Sequence, residues 1–314
     1  MKTIIFYEEK LLRRNWLFYF FILGVLGYIV GVLIPWNAKQ VLWSDVALAS
    51  SVFSRGISFL NLFQSVIVVF LVCDIQRKRN KAETRETFSI RPVGNGRFFL
   101  GEFFGIFLPF LVVDVVFMIV CAMIHIVVPD SPENLWVFLF YFFVRVLPPL
   151  IFVSGLSLLV TKLVKLPFVS WFVLIGFLYF SYAFLVSPLY GVLDFRGSLL
   201  PDSFSSLVGF IHVEENLMQR GAFLWLGISF LCFAASLVKR LPNIPGRKFY
   251  HVPACLCLMV SLCLGSLCRK YQARLKNRGA FREAILEYGS APRHVCLNTR
   301  SRIVPWGINF QQRA

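Results

Sequence analysis

The sequence predicts an all-α integral membrane protein: a polytopic bundle of six or seven transmembrane helices, with an interfacial helix before it and a short C-terminal tail, β or disordered, after it. Three observations predict this class. Of 314 residues, 58% are hydrophobic and only 15% are charged, against roughly 25% charged in an ordinary soluble domain. Aromatic residues reach 17%, with 35 Phe, more apolar surface than a soluble core of this size hides, whereas a bilayer is itself an apolar solvent. The apolar residues also fall in long runs separated by short segments that carry the Lys and Arg.

The N-terminal segment, residues 4–14, mixes charged and apolar residues as interfacial helices do. The first apolar run, 15–36, is bracketed by Trp16 and Trp36. Twenty residues of helix are about 30 Å long, the thickness of the hydrocarbon core, and Trp favours its two interfaces. Two Glu precede the run and no small-x-small site follows it, so it reads as an uncleaved anchor. Further spans are predicted at about 57–75, 98–126, 135–160, 168–188, 222–238 and 252–268, giving a membrane domain over 1–270 and a tail over 271–314. Pro253 near the start of the last run is tolerated in a helix's first turn. Gly27-x-x-x-Gly31 in the first span permits close helix approach, within the chain or between chains.

Charge orients the bundle. Alternate connecting segments (1–14, 74–97, 161–167 and 239–251) carry seventeen Lys and Arg, and the intervening ones (37–56, 127–134 and 189–221) carry four. The positive-inside rule predicts a cytoplasmic N-terminus. Residues 269–314, with ten Lys and Arg against two acids, depart from the rule if seven runs cross. The net charge of +16 is thus topological; no aromatic-interleaved basic surface points to nucleic acid.

Enzyme and cofactor signatures are absent from the sequence: no phosphate-binding glycine loop, nucleophile elbow or zinc-binding spacing occurs. His125 and Asp130 have the spacing of an acyltransferase pair, but they run into Pro129-Asp-Ser-Pro132, which reads as an external turn. Five of the eight cysteines lie inside apolar runs, where a thiol is a small hydrophobe. Two charges, Asp114 and Arg145, fall inside consecutive antiparallel spans at depths of roughly 18 and 15 Å. A lone Arg at a helix centre costs about 2.5–3.5 kcal/mol on insertion scales, so an Asp114–Arg145 ion pair is expected. Pro109, Pro148 and Pro149 interrupt the same two spans. Between the second and third spans, residues 81–89 are expected to form a short polar helix that Pro92 and Gly94 would end.

This segment, Thr84-Arg-Glu-Thr-Phe-Ser-Ile-Arg-Pro-Val93, resembles that of ABC-2 type permeases, the membrane subunits of ABC exporters, and in particular large Bacteroidetes-type permeases. Asn95-Gly-Arg-Phe-Phe-Leu-Gly-Glu102, Asp202–Phe210, Gln219-Arg-Gly221 and Lys239-Arg-Leu-Pro242 are similar to the family's later segments in order and spacing, over about residues 1–270. The resemblance implies a coupling helix seated in a separate ABC ATPase subunit, with Thr84, Glu86, Arg91 and Pro92 at the contact. It also implies a second permease half, a bacterial inner membrane, and ATP hydrolysis on another chain. Residues 288–310 look like the opening of an extracytoplasmic region, so the chain is expected to be truncated after the first membrane half. The alternative is a non-transporting membrane anchor or assembly subunit whose basic 74–97 loop binds a cytoplasmic partner or anionic lipid.

Overall fold

The computed structural model describes residues 2–35, 51–79, 94–127, 135–164, 166–185, 193–197, 204–205, 209–210, 213–238 and 250–290. They form α1 (Lys2–Arg13), α2 (Trp16–Tyr28, widening into a π turn at Ile29–Leu33), α3 (Ser51–Arg79) and α4 (Asn95–Val127). Next come α5 (Leu135–Tyr141), a second π turn (Phe142–Val146) and α6 (Leu147–Leu163), which together make one long span. α7 (Pro167–Ala183), α8 (Val213–Leu237) and α9 (His251–Ser290) complete the helices. A two-residue antiparallel ladder pairs Phe204 with Phe210 and Ser205 with Gly209. The chain divides into a unit over Met1–Arg269 and a second over Lys270–Ala314.

Six of these helices are long and apolar enough to cross a membrane. The protein is therefore the polytopic α-helical bundle that its composition predicts. The fifth predicted run is shorter: α7 has 17 residues, or about 25 Å, where a crossing needs about 30 Å. The sixth starts earlier than its apolar pattern suggests, because Val213–Ala222, polar by composition, is already helical with Glu214 and Glu215 in the first turn, where acids favour the helix dipole. α9 runs on through Ser290, twenty residues into the region assigned to the tail. Good helix formers fill that stretch, and no proline occurs before Pro292. Residues 291–314 lie outside the described residues.

The helices are apolar on both faces, as membrane helices are. On α4, Phe103, Ile106, Phe110, Phe117 and Cys121 are buried, while Val112, Val116, Ile119 and Met123 are exposed. The central elements are α3 and the α5–α6 span, with 67% and 72% of their apolar windows buried; α9, at 22%, is peripheral. Phe152 on α6 anchors one side of the core, with the rings of Phe177, Phe195, Phe223 and Phe230 at 5.2–6.1 Å.

α6 and α8 cross at close backbone approach. A Cβ on Gly155 would stand 2.6 Å from the Gly227 carbonyl oxygen, and one on Gly227 would stand 2.8 Å from the Phe152 backbone. Backbone cannot yield as a side chain can, so only glycine fits. Gly27 and Gly31 instead face open space, so the chain does not use their small size for its own packing. Gly227→Ala is expected to cost about 1–3 kcal/mol and to lower the thermal midpoint of the purified protein. Gly176→Ala, where a Cβ meets nothing within 4 Å, is expected to leave it unchanged. Equal midpoints for the two variants would refute the crossing.

Candidate functional site

Two buried carboxylates and two partly buried cations from four helices meet where α1, the C-terminal end of α3, the start of α4 and the end of α6 come together. Arg79, the last residue of α3, donates to Glu8 of α1 at 2.5 Å and forms an ion pair with Glu102 of α4 at 2.6 Å. Lys162 of α6 stands 3.2 Å from Glu102 and donates to the Gln76 side-chain oxygen at 3.0 Å. The Gln76 amide in turn donates to Glu102. The Arg79 guanidinium also lies over the Phe98 ring, 5.3 Å from its centroid. Two carboxylates and two cations balance, which is how a low-dielectric site tolerates charge.

Local sequence builds this cluster. Gly101 and Gly105 let α1 lie directly on α4: a Cβ on Gly101 would fall 2.7 Å from Ile4, and one on Gly105 would fall 3.2 Å from the Ile5 carbonyl oxygen and into the Glu8 side chain. Asn15 ties the α1–α2 corner to α3. Its side-chain oxygen accepts from the Leu17 backbone at 3.3 Å and caps α2, while its amide donates to Asp74 at 2.7 Å. Asp74 also pairs with Lys78 at 2.6 Å. α1 is thus fixed at Glu8, at the two glycines and at Asn15.

The cluster adjoins the segment carrying Thr84, Glu86, Arg91 and Pro92. Those four residues lie outside the described residues, but Arg79 immediately precedes the segment and Gly94 follows it.

The expected Asp114–Arg145 pair is replaced by two separate arrangements. Asp114 accepts from the Gln64 amide of α3 at 2.9 and 2.8 Å. Arg145 donates to the carbonyl of Gly197 at 2.7 Å. It does so beside Arg220 of α8, which donates to the carbonyl of Phe195 at 2.5 Å and to that of Arg196. No salt bridge joins Asp114 to Arg145 among the described residues. The physical reason is that backbone carbonyls supply the acceptors. Residues 194–197 form a tight turn in which Asp194 accepts from the Arg196 and Gly197 backbones, with Gly197 at φ 59°. The turn thereby presents its carbonyls to two buried arginines. Sequence reading placed Arg220 in a connecting segment; it lies inside a helix and is 1% exposed.

The π turn at Phe142–Val146 has a related cause. Pro149 has no N–H to give the Arg145 carbonyl four residues earlier. Asn61 of α3 donates to that carbonyl at 3.0 Å instead, re-satisfying a backbone group that a membrane interior would leave bare.

His125 belongs to α4, and Asp130 lies outside the described residues. Among the described residues no group of three or more His, Cys, Asp and Glu gathers as a metal site would require.

Two predictions follow from these contacts. Burial pushes the Glu8 carboxyl up from 4.5 to about 7, outweighing the opposing pull of Arg79, which Glu8 shares with Glu102. A proton therefore binds docked α1 more tightly than undocked α1. Glu8's contribution to docking is full below pH 4.5 and is lost as the pH rises through about 7. Hydrogen exchange of α1 amides, corrected for the intrinsic rate, is expected to accelerate across that window, and Glu8→Gln is expected to flatten the dependence. An unchanged profile in Glu8→Gln would contradict the assignment. Separately, Asp114→Asn and Arg145→Gln are expected to add in a double-mutant cycle within about 0.3–0.5 kcal/mol, as groups with separate partners do. A larger coupling would restore the ion pair.

No protein-family model matches the chain, and no curated protein matches it.

Proposed function

We propose that this chain is the membrane-spanning permease subunit of an ATP-binding cassette transporter, passing the movement of a partner ATPase into its helix bundle. The observation that carries the reading is Arg79. It is the residue just before the 80–93 segment, and it is bonded at once to α1 and α4, with Lys162 of α6 joined through Glu102. A force applied to that segment reaches four helices through partly buried, charge-assisted contacts, and charge-assisted bonds are roughly twice as strong as neutral ones. A loop serving only to hold topology needs no such connection.

In this reading Thr84, Glu86, Arg91 and Pro92 form the docking element, and the N-terminus and the 80–93 segment face the cytoplasm of a bacterial cell. A second permease half completes the transporter, and the tail lies on the opposite side of the membrane. The resemblance noted above supports this arrangement, and the distribution of Lys and Arg between the spans supports the cytoplasmic side given to the N-terminus and the 80–93 segment.

The test is co-purification of the tagged chain from its native host in mild detergent, with identification of what accompanies it. An ABC ATPase is expected with the native chain and is expected to be lost when Thr84, Glu86 and Arg91 are all changed to Ala. Arg79→Gln is expected to keep the ATPase bound but to reduce the change in its ATP turnover on association by tenfold or more. A folded chain that holds no ATPase would overturn the reading in favour of a membrane anchor binding anionic lipid through the 74–97 basic loop.

A further inference from the structure

Asp114 lies on the buried stripe of α4 between Phe110 and Phe117, is 1% exposed, and is twelve residues, about 18 Å, from Glu102 along the helix. Both its oxygens rest on a single neutral group, the Gln64 amide of α3, itself 2% exposed. An ionised carboxylate offers about four acceptor sites, and one amide nitrogen supplies at most two hydrogens.

No described charge on the elements packed against α4 forms a salt bridge with Asp114, and most of those charges are engaged elsewhere. On α1, Glu8 bonds Arg79 and Glu9 pairs with Arg13; on α3, Asp74 pairs with Lys78. Lys162 on α6 belongs to the Glu102 cluster, while Arg145 and Arg220 hold the 195–197 carbonyls. Lys2 and Lys10 of α1, Arg77 of α3 and Glu214 and Glu215 of α8 form no described salt bridge with Asp114. An uncompensated buried carboxylate in an apolar medium neutralises itself by taking up a proton rather than bearing the cost of its charge.

We propose that Asp114 and Gln64 form a proton-binding site at mid-depth in the bundle, in which Asp114 is held as the neutral acid. Separation of α3 from α4 that admits water ends both conditions that hold the proton, the burial and the amide contact. Such a movement releases one proton to water, leaving the carboxylate, and closure takes one up. The site is a property of this chain's own residues and stands whether or not an ATPase is the partner.

Infrared spectroscopy of the full chain in lipid nanodiscs tests this. The protein is labelled with carboxyl carbon-13 aspartate, so that its six Asp are separated from its ten Glu. An isotope-shifted carboxylic acid carbonyl band is expected to persist above pH 7, to be lost in Asp114→Asn, and to move to higher frequency in Gln64→Leu, where the hydrogen bond is removed. Gln64→Leu keeps the test decisive if Asp114→Asn does not fold. A spectrum showing only ionised aspartate above pH 7, or an acid band unmoved by Gln64→Leu, would overturn the proposal.

Discussion

A polar group drawn into this bundle has no water to bond, and its partners must come from the protein itself. In the hydrocarbon region each unsatisfied backbone group costs several kcal/mol. That constraint accounts for several irregular features of the described fold. Where Pro149 withholds a hydrogen bond, Asn61 reaches across from α3 to the Arg145 carbonyl. Where Arg145 and Arg220 are buried, the 194–197 turn folds so that its carbonyls meet them. Where Arg79 and Lys162 enter the bundle, Glu8 and Glu102 enter with them. The hydroxyls of Ser154, Ser157 and Thr161 close the same requirement locally, each donating to a carbonyl one turn back on α6.

Because lipid is as apolar as the helices, burying apolar side chains does not by itself hold membrane helices together. Close van der Waals approach and interhelical hydrogen bonds do much of that work. The structure places the two kinds of contact in complementary positions. Gly155 and Gly227 bring α6 and α8 to backbone contact, and Gly101 and Gly105 bring α1 onto α4. The second approach is what puts Glu8 within reach of Arg79. At α1, then, small residues on α4 set the distance and the Glu8–Arg79 pair ties the same helix to α3.

The bundle was legible in the sequence because length and hydropathy report directly on what a bilayer requires. Trp16 and Asn15 marked the first span's start for that reason. The polar contacts were not legible, since each joins residues distant in sequence: Glu8 with Arg79, Lys162 with Glu102, Gln64 with Asp114. No periodicity connects such residues. Depth along antiparallel helices suggested that Asp114 and Arg145 could meet, but depth says nothing about which face a side chain occupies, and it gives no warning that a turn at 194–197 will supply acceptors. Arg220 was hidden for another reason: the polar residues from Glu214 to Arg220 read as a connection, although buried polar residues can line the interior of a helical bundle. Arg79 and Lys162 entered the sequence reading only as topological charges, a role that does not reveal that they are also partners of buried carboxylates.

The distribution of these contacts determines how the bundle can respond to a force. The charged cluster at Arg79 and the carbonyl contacts of Arg145 sit on the same central elements, α3 and α5–α6. Lys162 and Arg145 are seventeen residues apart on one continuous span, about 25 Å along its axis. α3 contacts that span at both levels, through Gln76 to Lys162 and through Asn61 to the Arg145 carbonyl, and Gln64 between them holds Asp114 of α4. A displacement of the α3 end therefore cannot be absorbed at the Arg79 cluster alone. It is carried along α3 to the π turn, where the helix is already widened and the backbone bond is supplied by a side chain. A side-chain bond can be exchanged without unwinding a helix, and at this π turn the Asn61 amide is such a bond.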